Sequence, residues 1–541
     1  MLLAYQQEVN AVGGSLALSA LASMIPLAVV LVLLGVVKLR AHWAALAGLV
    51  AALAVAVIGY GMPATPALSS AAHGAVFGFF PILWIVINAL WVFNITVATG
   101  HFDVLRGSFG ALSADRRTQA ILVAFCFGAL LEALAGFGAP VAITSVMLVA
   151  LGFRPIKAAV VALVANTAPV AFGAMAVPVI TLSKVTGLPL ESVASVVGRQ
   201  TPFLALFVPL VLVFLVDGKR GVREAWAPAV MCGVVFAVAQ FVTSNYLSVP
   251  LTDIVAALLA ALAVVALAQL RPASTWAIRS RVVAVGGPGT ATAPPSRSEV
   301  WRAYLPYVVI VAVFSLAQLP GIKPVLDKAL IKFRWPGLDV RTPSGAEHST
   351  MTFSLTYLTT AGTLMLIAGL LVLLLLKVRA GQALRIYGKT LYELRWAILT
   401  VMTVLALAYV MNASGQTTSI GTFVAAAGGA LAVLSPVLGW FGVAVTGSDT
   451  SANALFGSLQ VTAAQQAGLS PELLAAANSS GGVLGKMLSP QNLTIACASV
   501  RLDGQEGVLL RKVIGWSLAM LAVLALIIGL QATPVLGWML P

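Results

Sequence analysis

Ala165-Asn166-Thr167-Ala168-Pro169, running on to Gly173, Met175 and Pro178, and Ala477-Asn478-Ser479-Ser480-Gly481, running on to Gly485, Met487 and Pro490, are two versions of one pattern. The matched asparagines, glycines, methionines and prolines each stand 312 positions apart. Each stretch follows an apolar segment with its own break, Gly136-Phe137-Gly138-Ala139-Pro140 in the first case and Thr446-Gly447-Ser448-Asp449-Thr450-Ser451 in the second. Interrupted apolar segments at corresponding places in two halves of a membrane chain point to a binding site near the bilayer midplane.

Composition puts the chain in a membrane. Of 541 residues 60% are hydrophobic and 9% charged, and the mean hydropathy is +1.01. A soluble domain carries roughly a quarter charged residues. Spans of about 20 apolar residues satisfy their backbone groups in lipid as helices, and the period-2 alternation of a membrane barrel is absent. The net charge of +14 sits in short loops between apolar runs, so it reads as topology and not as nucleic-acid binding. Cys126, Cys232 and Cys497 are scattered through apolar runs without a CxxC pair and read as packing residues. His42, His73, His101 and His348 show no ligand spacing, so no metal is expected. The first apolar run lacks a basic leader and is too long for a signal segment, so it is expected to remain as a helix.

Basic loops place the spans. The pattern predicts helices over 15–37, 43–60 and 74–99, with the N-terminus outside. Residues 118–152 are too long for one span and end in Arg154 and Lys157, which predicts a re-entrant hairpin opening inward. A broken helix at 156–180, an amphipathic link at 184–199 and helices at 201–216, 226–247 and 253–269 follow. Residues 271–302, with five arginines among Pro, Gly, Ser and Thr, read as a flexible cytoplasmic linker. Further helices are predicted at 304–320, 351–376, 396–412 and 513–532, with a second hairpin at 429–467 and a second broken helix at 471–497, interrupted at Asn478–Gly482. The link at 321–350 falls outside by parity, yet its Lys323, Lys328, Lys332, Arg334 and Arg341 break the charge rule.

Counted this way, the two broken helices run in opposite directions. The expectation is an all-α polytopic membrane protein of about 12 full transmembrane helices, with two re-entrant hairpins and two discontinuous helices in inverted repeats. Residues 1–220 form the first repeat, 221–302 the connecting helices and linker, and 303–541 the second.

Polar residues at the breaks are the candidate site. Glu132 lies one turn before the first hairpin tip, and ionisable residues inside a membrane are functional candidates by default. Desolvation favours the neutral form of a carboxyl, so such a group can carry a proton with substrate; Glu132 and Asp449 are the proton candidates. Lys486 is the only cation between Trp396 and Arg501 and can neutralise a carboxylate. Asn166, Thr167, Ser448, Thr450, Ser451, Asn478, Ser479 and Ser480 place amides and hydroxyls where helix ends free backbone N–H groups, a setting for an anion. Capping, interhelical hydrogen bonding and snorkelling to the interface are the alternative roles for these residues. Thr446-Gly447-Ser448-Asp449 is faintly similar to the Asp motif of intramembrane aspartyl proteases, but it lacks the middle Gly and has no partner Asp. No P-loop, Ser-His-Asp order or dinucleotide fingerprint is present, so no enzyme activity and no cofactor are expected.

At these residues the sequence resembles the lactate permease family of bacterial carboxylate transporters. The carrying stretches are GALLEALAGFGAPVAI (128–143), GFRPIKAAVVALVANTAPVAFGA (152–174), KVTGLPLESVASVVGRQTPFLAL (184–206), GWFGVAVTGSDTSANALFGSLQ (439–460) and AANSSGGVLGKMLSPQNLTIA (476–496). The resemblance implies a multi-pass plasma-membrane symporter, in the bacterial inner membrane, that moves L-lactate, with D-lactate and glycolate as co-substrates, with a proton as coupling ion. It also implies an ion-transporter-superfamily fold with inverted repeats, a homodimeric scaffold and elevator-like movement. A sodium-coupled organic-anion carrier on the same fold, a channel and an intramembrane hydrolase remain the competing readings.

Overall fold

The computed structural model describes residues 5–111, 115–134, 136, 138–270, 296–317, 319, 321–348, 351–502 and 504–540. The proposed linker at 271–302 therefore lies largely outside the described residues, as do Ala135 and Phe137 at the first break. The chain is mostly helical, and ten helices among the described residues are long and apolar enough to cross a bilayer. Their outer faces carry bare apolar side chains, such as Ile58 (84% exposed) and Leu526 (62% exposed). Water would not tolerate a belt of this kind, and lipid covers it at no cost.

Helices from the two halves of the chain interlock. Ala41–Ala54 and Ala64–Phe77 pack on Ala380–Ser414, and Trp84–Ala98 packs on Ala361–Leu375. A second group contains the paired and interrupted helices. The first helical hairpin comprises Arg116–Gln119, Ala120–Phe127 and Gly128–Leu134, followed by Ala139–Ala150; the second comprises Leu431–Thr446 and Asp449–Ala467. Pro155–Ala165 and Gly173–Thr186 form the first interrupted helix, and Pro471–Gly485 and Pro490–Ser499 the second.

Several expected boundaries move. The amphipathic link at 184–199 and the helices at 201–216 and 226–247 are parts of one run, Leu190–Val242, continued to Leu247. At about 1.5 Å per residue, its 58 residues far exceed one bilayer thickness. Non-helical dihedrals at Asp217, Gly218 and Ala225 divide it at the basic loop. The helix expected at 396–412 begins at Ala380, because the basic stretch before it is itself helical. The helix expected at 74–99 likewise starts at Ala64.

The helix expected at 351–376 is a correction. Thr352–Thr356 is a β-strand paired antiparallel with Leu330–Arg334, and the helix spans only Ala361–Leu375. Val340–Arg341 pairs in turn with Tyr5–Gln6 near the N-terminus. Of the cations that violate the charge rule, Lys332, Arg334 and Arg341 therefore belong to a small β-structure, while Lys323 and Lys328 stand at the two ends of the short helix Lys323–Asp327.

The second break is also displaced. Asn478–Gly482 is helical, inside Pro471–Gly485, and the interruption falls at Lys486–Ser489. The small residues permit a close crossing. A Cβ on Gly481 would overlap the Pro436 carbonyl, and one on Gly485 would overlap the Trp440 carbonyl. Small residues that let backbones touch are the usual membrane helix interface, so the Ser/Gly run belongs to packing with the second hairpin.

Candidate functional site

Glu132 and Lys486 meet. Glu132 is on the last turn of the first hairpin's first arm and Lys486 is the residue that ends Pro471–Gly485, 354 positions later. Lys486 Nζ donates to Glu132 Oε1 at 2.5 Å, and Asn166 Nδ2 donates to Oε2 at 2.9 Å. Lys486 is 7% and Glu132 3% exposed. A bare charge at that depth would be several kcal/mol unfavourable, so each ion holds the other in place. The Lys486 carbonyl is fixed by Asn492 Nδ2 at 2.9 Å and Ser489 Oγ at 3.0 Å.

Asp449 opens the second arm of the second hairpin, behind Ser448, whose Oγ caps the helix by accepting from Ser451 N–H at 3.2 Å. Its Oδ2 accepts from Ser479 Oγ at 2.6 Å and from Asn453 Nδ2 at 3.3 Å, while Oδ1 has no hydrogen-bond partner among the described residues. Asn453 also donates to the Pro178 carbonyl at 3.2 Å and accepts from Asn478 Nδ2 at 2.9 Å. One amide thus ties both interrupted helices to the second hairpin.

Glu132, Ser448, Asp449, Thr450 and Lys486 line one small cavity together with Gly138, Val170, Ala174, Val177, Pro178, Gln491 and Asn492. Its volume is about 60 Å³. A single water needs about 10–15 Å³ of such space, so the cavity suits a few waters or an organic acid of a few atoms. Four helix starts converge on it: Gly138 before Ala139–Ala150, Ser448 before Asp449–Ala467, Pro490 with Gln491 and Asn492, and the segment that resumes regular helix after Ala176. Helix N-termini carry partial positive charge and free N–H groups. With Lys486, they make the cavity a setting for an anion.

The first break is a strained turn. Ala174, Met175 and Ala176 all hold left-handed dihedrals (φ 45°, 61° and 62°), each unfavourable by about 1–3 kcal/mol for a residue with a Cβ. Gly173 beside them leaves room for Glu132, since a Cβ there would stand 2.8 Å from Oε1.

The expected site residues separate into three groups. Glu132, Ser448, Asp449, Thr450 and Lys486 face the cavity. Asn166, Ser479 and Asn478 sit behind it, holding Glu132, Asp449 and Asn453. Thr167 donates to the Val164 carbonyl at 2.7 Å, and Ser451 and Ser480 are buried away from the cavity lining. Gln491 and Asn492 were missed; their signal was a polar pair directly after the Ser489-Pro490 helix start. Cys126 and Cys232 are neighbours, with sulfurs 3.5 Å apart and both thiols free.

Membrane-length helices around a buried polar cavity walled by helix ends are the construction of a membrane permease. Residues 19–535 match the family model described as L-lactate permease, and the chain belongs to that family. It is 40% identical to the L-lactate permease of Bacillus subtilis (strain 168), covering 99% of this chain and 100% of the relative. It is 39% identical to the glycolate permease GlcA of Escherichia coli (strain K12), covering 96% of each, and 39% identical to the L-lactate permease of the same strain, covering 98% of each. Among solved structures, the YdaH transporter of Alcanivorax borkumensis aligns with a TM-score of 0.48 at 15% identity, over 87% of this chain and 89% of that one. The protein is a multi-pass membrane transporter and not an enzyme.

Proposed function

We propose that the protein imports L-lactate, together with D-lactate and glycolate, by proton symport across the bacterial inner membrane, with its N-terminus outside. The observation that carries this reading is the convergence of Lys486 and four helix starts on one small cavity. The substrate's carboxylate takes the place of Glu132 beside Lys486, and Thr450, Ser448 and Asn492 are within the same wall for the hydroxyl. Val170, Ala174 and Val177 give an apolar side for the methyl group. Lactate and glycolate differ by that methyl, worth about 1–3 kcal/mol in an apolar pocket, so both are accepted.

The ion pair supplies the coupling. In the empty protein Lys486 and Glu132 neutralise one another. A lactate anion on Lys486 leaves Glu132 as an unpaired buried charge unless it takes a proton. One anion and one proton then enter together, and the site keeps its net charge. Asp449, with Oδ1 free, is the second carboxyl available to the proton.

The matched 312-residue pattern and the recurrence of hairpin followed by interrupted helix support inverted repeats with both hairpins re-entrant; the homodimer rests on the family resemblance alone. The test is uptake of labelled L-lactate into proteoliposomes. Accumulation that follows an imposed pH gradient and collapses with a protonophore is the expected result. Accumulation that follows a sodium gradient and ignores the protonophore would overturn the coupling ion, and no uptake under either gradient would overturn the substrate.

A further inference from the structure

Besides Glu132 and Asp449, a third carboxyl group is buried in the membrane-spanning region. Asp253 is the second residue of Thr252–Leu270 and has no accessible surface. Its Oδ1 accepts from Gln240 Nε2 at 2.9 Å, and its Oδ2 has no hydrogen-bond partner among the described residues. Asp253 makes no ion pair among the described residues. Gln240 is itself fully buried; its Oε1 accepts from Thr201 Oγ1 at 3.2 Å, and its Nε2 reaches the Ala168 carbonyl at 3.4 Å. Ala168 is in the first break, two residues from the Asn166 that holds Glu132. The helix carrying Asp253 also packs on Gly128–Leu134, the turn that carries Glu132.

On its other side, the turn that precedes Asp253 borders open space, while Asp253 itself is not part of the wall. Ser244, Ser248, Val249 and Pro250 form part of the wall of a cavity of about 380 Å³. Thr252 Oγ1 donates to the carbonyls of Ser248 (3.3 Å) and Val249 (2.9 Å), so the turn before Asp253 is that wall. The charged groups nearby are Glu132 on the hairpin, and Lys184 and Glu191 at the cavity. Cys126 and Cys232 also lie on the hairpin and the connecting helix packed there, and the same elements carry Arg199, which donates to Asn245 Oδ1 at 3.0 Å, and, further along, Arg117 paired with Asp217 and Glu224.

We propose that Asp253 is a second proton-binding site, reached from the cavity at Ser244–Pro250, that supplies the proton taken by Glu132. An unpaired carboxylate in a membrane interior is untenable as an anion, and only a proton or a cation makes it stable. The amide N–H groups of Gln240 point at the carboxyl and at the Ala168 carbonyl, which leaves a single free oxygen. One free oxygen suits a proton, whereas a metal cation takes about six or more. The proton binds Oδ2 as an O–H bond; as it passes to Glu132, a second proton enters from the cavity side and re-forms that bond, so Asp253 does not persist as an anion. This rests on the symport reading above and adds the route by which the proton arrives.

The test uses infrared difference spectra of the purified full-length protein, with transport in proteoliposomes. The wild type is expected to show the carbonyl-stretch band of a protonated carboxylic acid, and Asp253→Asn is expected to lose it while Asp449→Asn keeps it. Asp253→Asn is also expected to lose about a hundredfold in uptake driven by a pH gradient, the lower end of what a positioned proton-transfer group contributes. Its exchange of internal for external lactate, which moves no net proton, is expected to stay within about twofold, and Asp253→Glu to restore both band and uptake. Absence of the band in the wild type overturns the proposal whatever the variant does. Full gradient-driven uptake in Asp253→Asn overturns it too, as does loss of exchange together with uptake that Asp253→Glu fails to restore. A wild type that shows the band but takes up no lactate would overturn the transport reading and leave Asp253 as a proton site.

Discussion

Replacing Lys486 by Met removes the cation from a pair in which both partners are nearly inaccessible, 7% for Lys486 and 3% for Glu132. Glu132 would keep the hydrogen bond from Asn166 at 2.9 Å and lose the donor at Oε1. Breaking a buried pair by removing one partner is unfavourable by about 3–5 kcal/mol, most of it the penalty of the stranded charge. Adding Glu132→Gln to Lys486→Met removes that charge, and replacing a whole buried pair is often neutral. The double variant is therefore expected to recover most of the lost stability. It is not expected to recover uptake, because the anion has lost its cation. Thermal unfolding of the purified proteins in one detergent measures the stabilities, and labelled lactate uptake measures the function. A double variant no more stable than Lys486→Met would refute the argument that the stranded carboxylate causes the loss.

Three further changes probe separate parts of the account. Gly173→Ala puts a methyl 2.8 Å from Glu132 Oε1 and 3.1 Å from its Cγ; it is expected to destabilise by about 1–3 kcal/mol and to reduce uptake, and normal transport would mean the carboxylate is not held there. Ser489→Ala removes the Oγ that accepts from Asn492 N–H at 3.3 Å at the start of Pro490–Ser499. It is expected to be unfavourable by about 1 kcal/mol, and an unchanged melting temperature would argue against the cap. Outside the membrane, burial lowers His348 from 6.5 to about 4. The folded histidine stays neutral where the unfolded chain takes up a proton, so the β-structure keeps its full stability above about pH 6.5 and loses it as pH falls towards 4. Amide exchange over Leu330–Thr356, corrected for intrinsic pH dependence, is expected to speed up on acidification, and pH-independent protection would contradict this.

Much of the architecture was legible because lipid imposes a narrow grammar on a chain. Apolar run lengths marked where the mostly helical chain is interrupted at Gly138 and Ser448, each a turn between two helical arms. The site residues Glu132, Asp449 and Lys486 stood out because a charge within an apolar run is rare enough to carry meaning. What the sequence concealed has physical reasons. Asn478–Gly482 has the composition of a break, but its glycines serve a close helix crossing, a contact that composition does not encode. The strand at Thr352–Thr356 is only five residues long and is followed closely by an apolar run, so nothing in composition separates it from the helix that follows. Asp253 gives no distinct signal in the sequence, because it opens a helix, where an acidic residue is normally a solvated first-turn charge. Only the packing of Gln240 and the first break around it reveals how deeply it is buried.

The most direct test of the account is Glu132→Gln in proteoliposomes, with gradient-driven accumulation and lactate exchange measured side by side. If Glu132 yields Lys486 to the substrate and takes the proton, the variant exchanges lactate across the membrane but cannot accumulate it against a gradient. A Glu132→Gln protein that still concentrates lactate when a pH gradient is imposed would contradict the account at its centre.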